Sequence, residues 1–131
     1  MLYKSEVKTD FPAFVDITDE LKKAVVQSGV KAGACVVTVS DPESALGFME
    51  TDNEAARIDV QNELNTLFPP RIDYSESENP YICAARTKSA LLSTSRSISI
   101  LDGKPAIGEG RSLYIVDFVG KKTLEFYIKC I

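Results

Sequence analysis

The sequence predicts an α+β domain of mostly antiparallel sheet with about three helices. Two observations lead there. Short β-branched and aromatic runs are mixed with helix-period segments, without the regular βαβ alternation of a parallel sheet. The chain has 131 residues, 44% hydrophobic and 26% charged, which fits one domain with its own core. No linker, repeat or low-complexity segment divides it, so residues 1–131 read as a single domain.

The elements follow in order. Met1–Val7 and Ala13–Ile17 read as short strands. Thr18 is expected as a helix N-cap, ahead of Asp19 and Glu20, whose charges suit the first turn. Leu21, Ala24 and Val25 form an apolar stripe at helical spacing, and Gly29 suits the helix end. "KAGACVVTVS" (Lys31–Ser40) is nearly all small or β-branched, the pattern of a strand covered on both faces. Asp41-Pro42 breaks it, and "ALGFME" (Ala45–Glu50) is the next strand. Glu54–Phe68 reads as a helix with Ala56, Val60, Leu64 and Leu67 on one stripe. Asp59 lies to its side, and Pro69-Pro70 stops it. "YSESEN" is expected as a solvated loop. Asn79-Pro80 reads as the N-cap and first residue of a third helix, "YICAARTKSALL". "RSISIL" runs into Asp102-Gly103, a two-residue hairpin signal. A second hairpin is expected from "RSLYIVDF", a turn around Gly120, and "TLEFYIKCI". In that last strand Leu124, Phe126, Ile128 and Cys130 share a face.

Composition narrows the chemistry. The net charge is −4, with both signs scattered, which argues against a broad basic face for nucleic acid. No apolar run approaches the ~20 residues of a membrane span, and the first residues hold no apolar signal core, so a cytoplasmic location is expected. The chain has no histidine and 3 cysteines. Cys35, Cys83 and Cys130 match no zinc or redox-pair spacing and read as buried or half-buried thiols. A serine–histidine or cysteine–histidine nucleophile is excluded. Transition metals favour imidazole or clustered thiolates, so no tightly bound transition metal is expected, and no cofactor is assigned.

Glu50 and Asp59 stand nine residues apart in sequence, followed by Tyr74, Ala85 on a helix, Asp102-Gly103, Ile107-Gly108 and Asp117-Phe118. This collinear set resembles the YjbQ-like family, also called secondary thiamine-phosphate synthase-like, over almost the whole chain. The resemblance implies a β-sandwich-like fold, a homotrimer with sheets packed around its axis, and pockets near subunit boundaries. It also implies a weak thiamine-phosphate-forming activity for some members, with Glu50 and Asp59 as what remains of the catalytic set. The family's histidines map onto Asp41, Glu76 and Arg86. Its His-Thr-Thr maps onto Asp41-Pro42-Glu43, and a tryptophan-glutamine pair onto Gly110 and Arg111. The expected ligand-binding set is therefore Asp41, Glu76, Arg86 and Arg111, and loss of the histidines implies impaired catalysis.

If those positions converge, three readings stay open. Asp41, Glu43, Glu50, Asp59 and Glu76 are hard ligands suited to Mg²⁺, Ca²⁺ or Mn²⁺, with Arg86 opposing any cation. Alternatively, Arg86 pairs with Glu50 or Glu76 in a metal-free site, active on a small phosphorylated or polar metabolite. In the last reading the site is lost and these are ordinary solvated acids and a surface arginine. A further alternative for the whole chain is a non-enzymatic trimeric binding or scaffold protein.

Overall fold

The computed structural model describes residues 2–10, 13–76 and 79–131. Met1 and the Ser77-Glu78 part of the polar loop lie outside the described residues. The order is β1 (Leu2–Thr9), β2 (Ala13–Asp16), α1 (Thr18–Ser28), β3 (Ala32–Val39), β4 (Ser44–Glu50), α2 (Glu54–Leu67), α3 (Pro80–Leu92), β5 (Ser95–Leu101), β6 (Lys104–Pro105), β7 (Arg111–Asp117) and β8 (Lys122–Cys130). All described pairings are antiparallel. They form a large sheet, β1-β8-β3-β5-β6, and a small one, β2-β7-β4. The α+β, mostly antiparallel class is as expected.

The core lies between the sheets. β8 contributes Leu124, Phe126 and Ile128, β3 contributes Cys35, Val37 and Val39, and β7 contributes Leu113 and Ile115. Leu21, Ala24 and Val25 of α1 join the same cluster. Strand alternation and one helical stripe thus converge on a single apolar volume, the main source of favourable folding free energy. The outer face of the small sheet is also covered, since all residues of β7 from Ser112 to Asp117 are buried.

Local signals hold where the chemistry is local. Asn79 caps α3, its side chain accepting from the N–H groups of Tyr81 and Ile82, with Pro80 behind it. Asp102 and Gly103 both take positive φ, 53° and 73°, and join β5 to β6.

Four expectations change. Ile17, not Thr18, is the N-cap residue of α1. Thr18 is already helical, and its hydroxyl accepts from the Leu113 N–H at 2.9 Å, tying α1 to β7. The α2 stripe is shallow: none of its residues is buried, and Val60 and Leu67 are exposed. β3 is covered on one face only, with Ala34, Val36 and Thr38 half-buried on the other. The second hairpin does not form, because β7 and β8 belong to different sheets and the chain crosses between them at Gly120.

Gly33 shows how tightly the end of the chain is bound in. Ala34 and Ile131 exchange both backbone hydrogen bonds, at 2.9 and 2.8 Å. A Cβ on Gly33 would stand 2.2 Å from the Ile131 carbonyl oxygen. Gly33→Ala is expected to cost about 1–3 kcal/mol of stability in urea unfolding, with faster amide exchange along the end of β8.

Candidate functional site

The matched residues fall into two groups, at opposite ends of the β4–β7 ladder. The first collects where β7 leaves the small sheet and β8 enters the large one. Asp117 ends β7 with no exposed surface. Its carboxylate accepts from the Thr9 hydroxyl and from the Val119 and Gly120 N–H groups, both at 3.0 Å. Lys122 opens β8, and its ammonium lies 3.7 Å from Asp117, 3.1 Å from Asp41 and 2.9 Å from Glu43. Asp41 is held in turn by the Ser44 hydroxyl at 2.7 Å and the Glu43 N–H at 2.9 Å. Arg86, on α3, donates Nε–H to Glu43 at 3.2 Å.

This group is one network. Three carboxylates surround one ammonium, with a guanidinium on the outer side. Burial alone would pull the Lys122 ammonium down, but Glu43, Asp41 and Asp117 outweigh it and hold it above its ordinary value. The ammonium stands where a divalent cation would have to sit, so the carboxylates do not fit a metal site while Lys122 is charged. Among the described residues no group of His, Cys, Asp and Glu is arranged to hold a metal ion.

The second group lies at the far end of β4, six strand steps or about 20 Å from Ser44. Glu50 and Arg111 are direct partners across the β4–β7 ladder. The exposed Glu50 carboxylate accepts from the Asn53 side chain, and Asn53 caps α2 by accepting from the Ala56 N–H. The Arg111 guanidinium lies over the Phe48 ring, 5.2 Å from its centre.

Of the expected residues, Asp41 and Arg86 therefore meet, together with Glu43, while Glu50 and Arg111 stand together elsewhere. The expected pairing of Arg86 with Glu50 or Glu76 is replaced by one with Glu43, which directly precedes β4, whereas Glu50 is the last residue of that strand. Asp59 and Glu76 are exposed. The Glu76 backbone carbonyl accepts from the Cys83 thiol. Lys122 was not legible as a site residue, since a lysine beside a glycine turn reads as solvated. Asp117 carried a signal, the Asp-Phe match, but no role. Cys35 and Cys130, without a shared motif, face each other across β3 and β8 as free thiols. Burial first, then Cys130, push the Cys35 thiol up to about 11.

A family model described as UPF0047 protein YjbQ-like matches residues 4–131. The UPF0047 protein MJ1081 of Methanocaldococcus jannaschii is 32% identical over 132 residues, spanning 100% of this chain and 94% of that protein. UPF0047 protein YugU of Bacillus subtilis is 26% identical, spanning 98% of each. Among solved structures, an uncharacterised YjbQ/UPF0047 protein of Clostridium acetobutylicum superposes with a TM-score of 0.87 at 29% identity, spanning 100% of this chain and 99% of that one. A protein of unknown function from Sulfolobus solfataricus shares the fold, with a TM-score of 0.84 at 19% identity over 99% of this chain and 96% of that one.

Lys122→Met would leave Asp41, Glu43 and Asp117 without their central cation. The expected loss is about 1–3 kcal/mol at pH 7 in urea unfolding. Glu43→Gln should recover part of it, and the coupling is read from the double-mutant cycle. The raised Lys122 value fixes the sign of the pH dependence. Its contribution is complete at neutral pH, holds up to the ordinary value of 10.5, and disappears as pH rises through the higher folded value. In the same assay Arg86 and Glu50 should show no coupling. Arg86 and Glu43 should show at most about 1 kcal/mol, because the arginine side chain is 55% exposed.

Proposed function

This chain belongs to the UPF0047 YjbQ-like family, and on that footing we propose that it is a catalytically impaired homotrimeric member with a structural rather than catalytic ion cluster. The observation that carries this reading is Lys122. Its ammonium engages Asp41, Glu43 and Asp117, so the acidic groups nearest the expected site already have a counter-charge. General acid–base work needs a group free to take up and release a proton near the working pH. With no histidine in the chain, nothing in this cluster is built for that.

The trimer is supported by the uncovered face of β3. Ala34, Val36 and Thr38 stand half-buried beside Ser95, Ser97 and Ser99 of β5, all of them small. A sequence suited to a strand covered on both faces finds cover on one side within the chain. A second copy packed on the other side would complete it, and small side chains let backbones approach.

A second reading rests on Arg86. It lines a shallow cleft with Ser40, Asp41, Ser89 and Thr94, and much of its side chain is exposed. That favours a rewired site acting on a small phosphorylated or polar metabolite, since guanidinium recognises such anions.

Purified protein is expected to form thiamine phosphate no faster than buffer alone. A rate above buffer that Glu43→Gln or Arg86→Ala removes would overturn the impaired reading in favour of the second. Sedimentation equilibrium at micromolar concentration should give three times the chain mass of 14.4 kDa. Val36→Arg should return the monomer mass, and a monomeric wild type would end the trimer proposal.

A further inference from the structure

A second cavity, on the helix side of the small sheet, holds a buried lysine that has no counter-ion among the described residues. α3 presents Ala84, Ala85 and Lys88 to this side, and all three are buried. The two alanines leave space where longer side chains would fill it, and a cavity of about 500 Å³ results. Its walls are largely apolar, from Phe14, Leu64, Tyr81, Val116 and Phe118. Polar groups come from Gln61 and Asn65 on α2 and from Lys88 itself.

Lys88 is 6% exposed. Its ammonium donates to the Asn65 side-chain oxygen and lies 5.4 Å from the centre of the Phe118 ring. Among the described residues no carboxylate comes within ion-pair distance of it. Asp117 also lines the cavity, but both of its oxygens are taken by Thr9, Val119, Gly120 and Lys122. Desolvation lowers the Lys88 value, as it must for a cation buried with one neutral partner. Burying an ammonium this way is unfavourable, and methionine would pack the same space without that cost. An anion entering the cavity would supply the missing charge.

We infer that the Lys88 cavity is a binding site for a small aryl carboxylate, with the carboxylate on the Lys88 ammonium and the amides of Gln61 and Asn65, and the ring against Phe14, Leu64 and Phe118. One cation and two neutral amides match a single negative charge. A phosphate dianion would want more positive charge or a cradle of backbone N–H groups. The aromatic and aliphatic walls match a flat apolar body, and the volume lies in the usual range for small-ligand sites. The cavity shares Asp117 with the ion cluster around Lys122, but the inference holds whether or not that cluster is catalytic.

The test is calorimetric titration of the whole protein at pH 7 with 3-phenylpropionate, its neutral counterpart 3-phenylpropanol, and inorganic phosphate. Saturable one-to-one binding of 3-phenylpropionate is expected, at least about tenfold tighter than the alcohol or phosphate. Lys88→Met should keep or raise the melting temperature and weaken the carboxylate by about tenfold or more. Gln61→Phe, on the half-exposed side of α2, should block the cavity while leaving Lys88 in place. The inference is overturned by absence of saturable binding to the wild type, by equal binding to either variant, or by an alcohol or phosphate that binds as well. A Lys88→Met protein that fails to fold would assign the lysine a structural role, and binding that survives Gln61→Phe would then reject the site.

Discussion

The structure turns on one buried carboxylate. Asp117 carries a charge at a position without solvent, an arrangement that is very unfavourable unless every lone pair is engaged. Its partners come from separate parts of the chain. Thr9 belongs to β1, Lys122 to β8, and Val119 and Gly120 to the crossing between the sheets. Satisfying Asp117 therefore fixes the turn, sets the large sheet against the small one, and brings Lys122 inward. Once that ammonium is inside, Asp41 and Glu43 have a reason to fold over it, and α3 follows through Arg86. The cluster is a consequence of the tie between the sheets rather than a separate device.

Legibility in the sequence followed the range of the interaction. The alternation of β8, the Asn79-Pro80 start of α3 and the Asp102-Gly103 turn are each decided within a few residues, and each forms as read. The second hairpin failed because a glycine turn between two apolar strands looks alike whether they pair or part into two sheets. Thr18 failed as a cap because its hydroxyl is claimed by Leu113, 95 positions away. The α2 stripe is matched only in part, with Ala56 and Leu64 half-buried but Val60 and Leu67 exposed, since periodicity gives a face and not what lies against it.

The same limit applied to the site. Asp41, Glu43 and Arg86 were matched by spacing, and they meet; Glu50 and Arg111 were matched as well, and they meet one another at the far end of the ladder. Collinear spacing identifies positions in a family without saying which end of a strand each occupies. Lys122 was unreadable because nothing local distinguishes an inward lysine from a solvated one. Its role depends on Asp117, Asp41 and Glu43, whose convergence is a property of the tertiary structure alone. Lys88 was hidden for the opposite reason: it sits on a helix face otherwise made of small residues, Cys83, Ala84, Ala85 and Ser89, where a lysine breaks the pattern and would be assigned to solvent.

The strand order has a kinetic meaning. β1 pairs with β8 from Leu2 against Lys129 to Thr9 against Lys122, and β8 also lies against β3. The last strand is thus an interior strand of the large sheet, between β1 and the central β3, and the first strand must wait for it. Closing contacts across nearly the full chain carries a large entropic cost before any of them is rewarded, which places such topologies among slow folders. During synthesis β1 is an open edge with a half-apolar face, available to any other strand it encounters. Four charges on its outward side, Lys4, Glu6, Lys8 and the neighbouring Asp10, make that encounter unfavourable until β8 arrives.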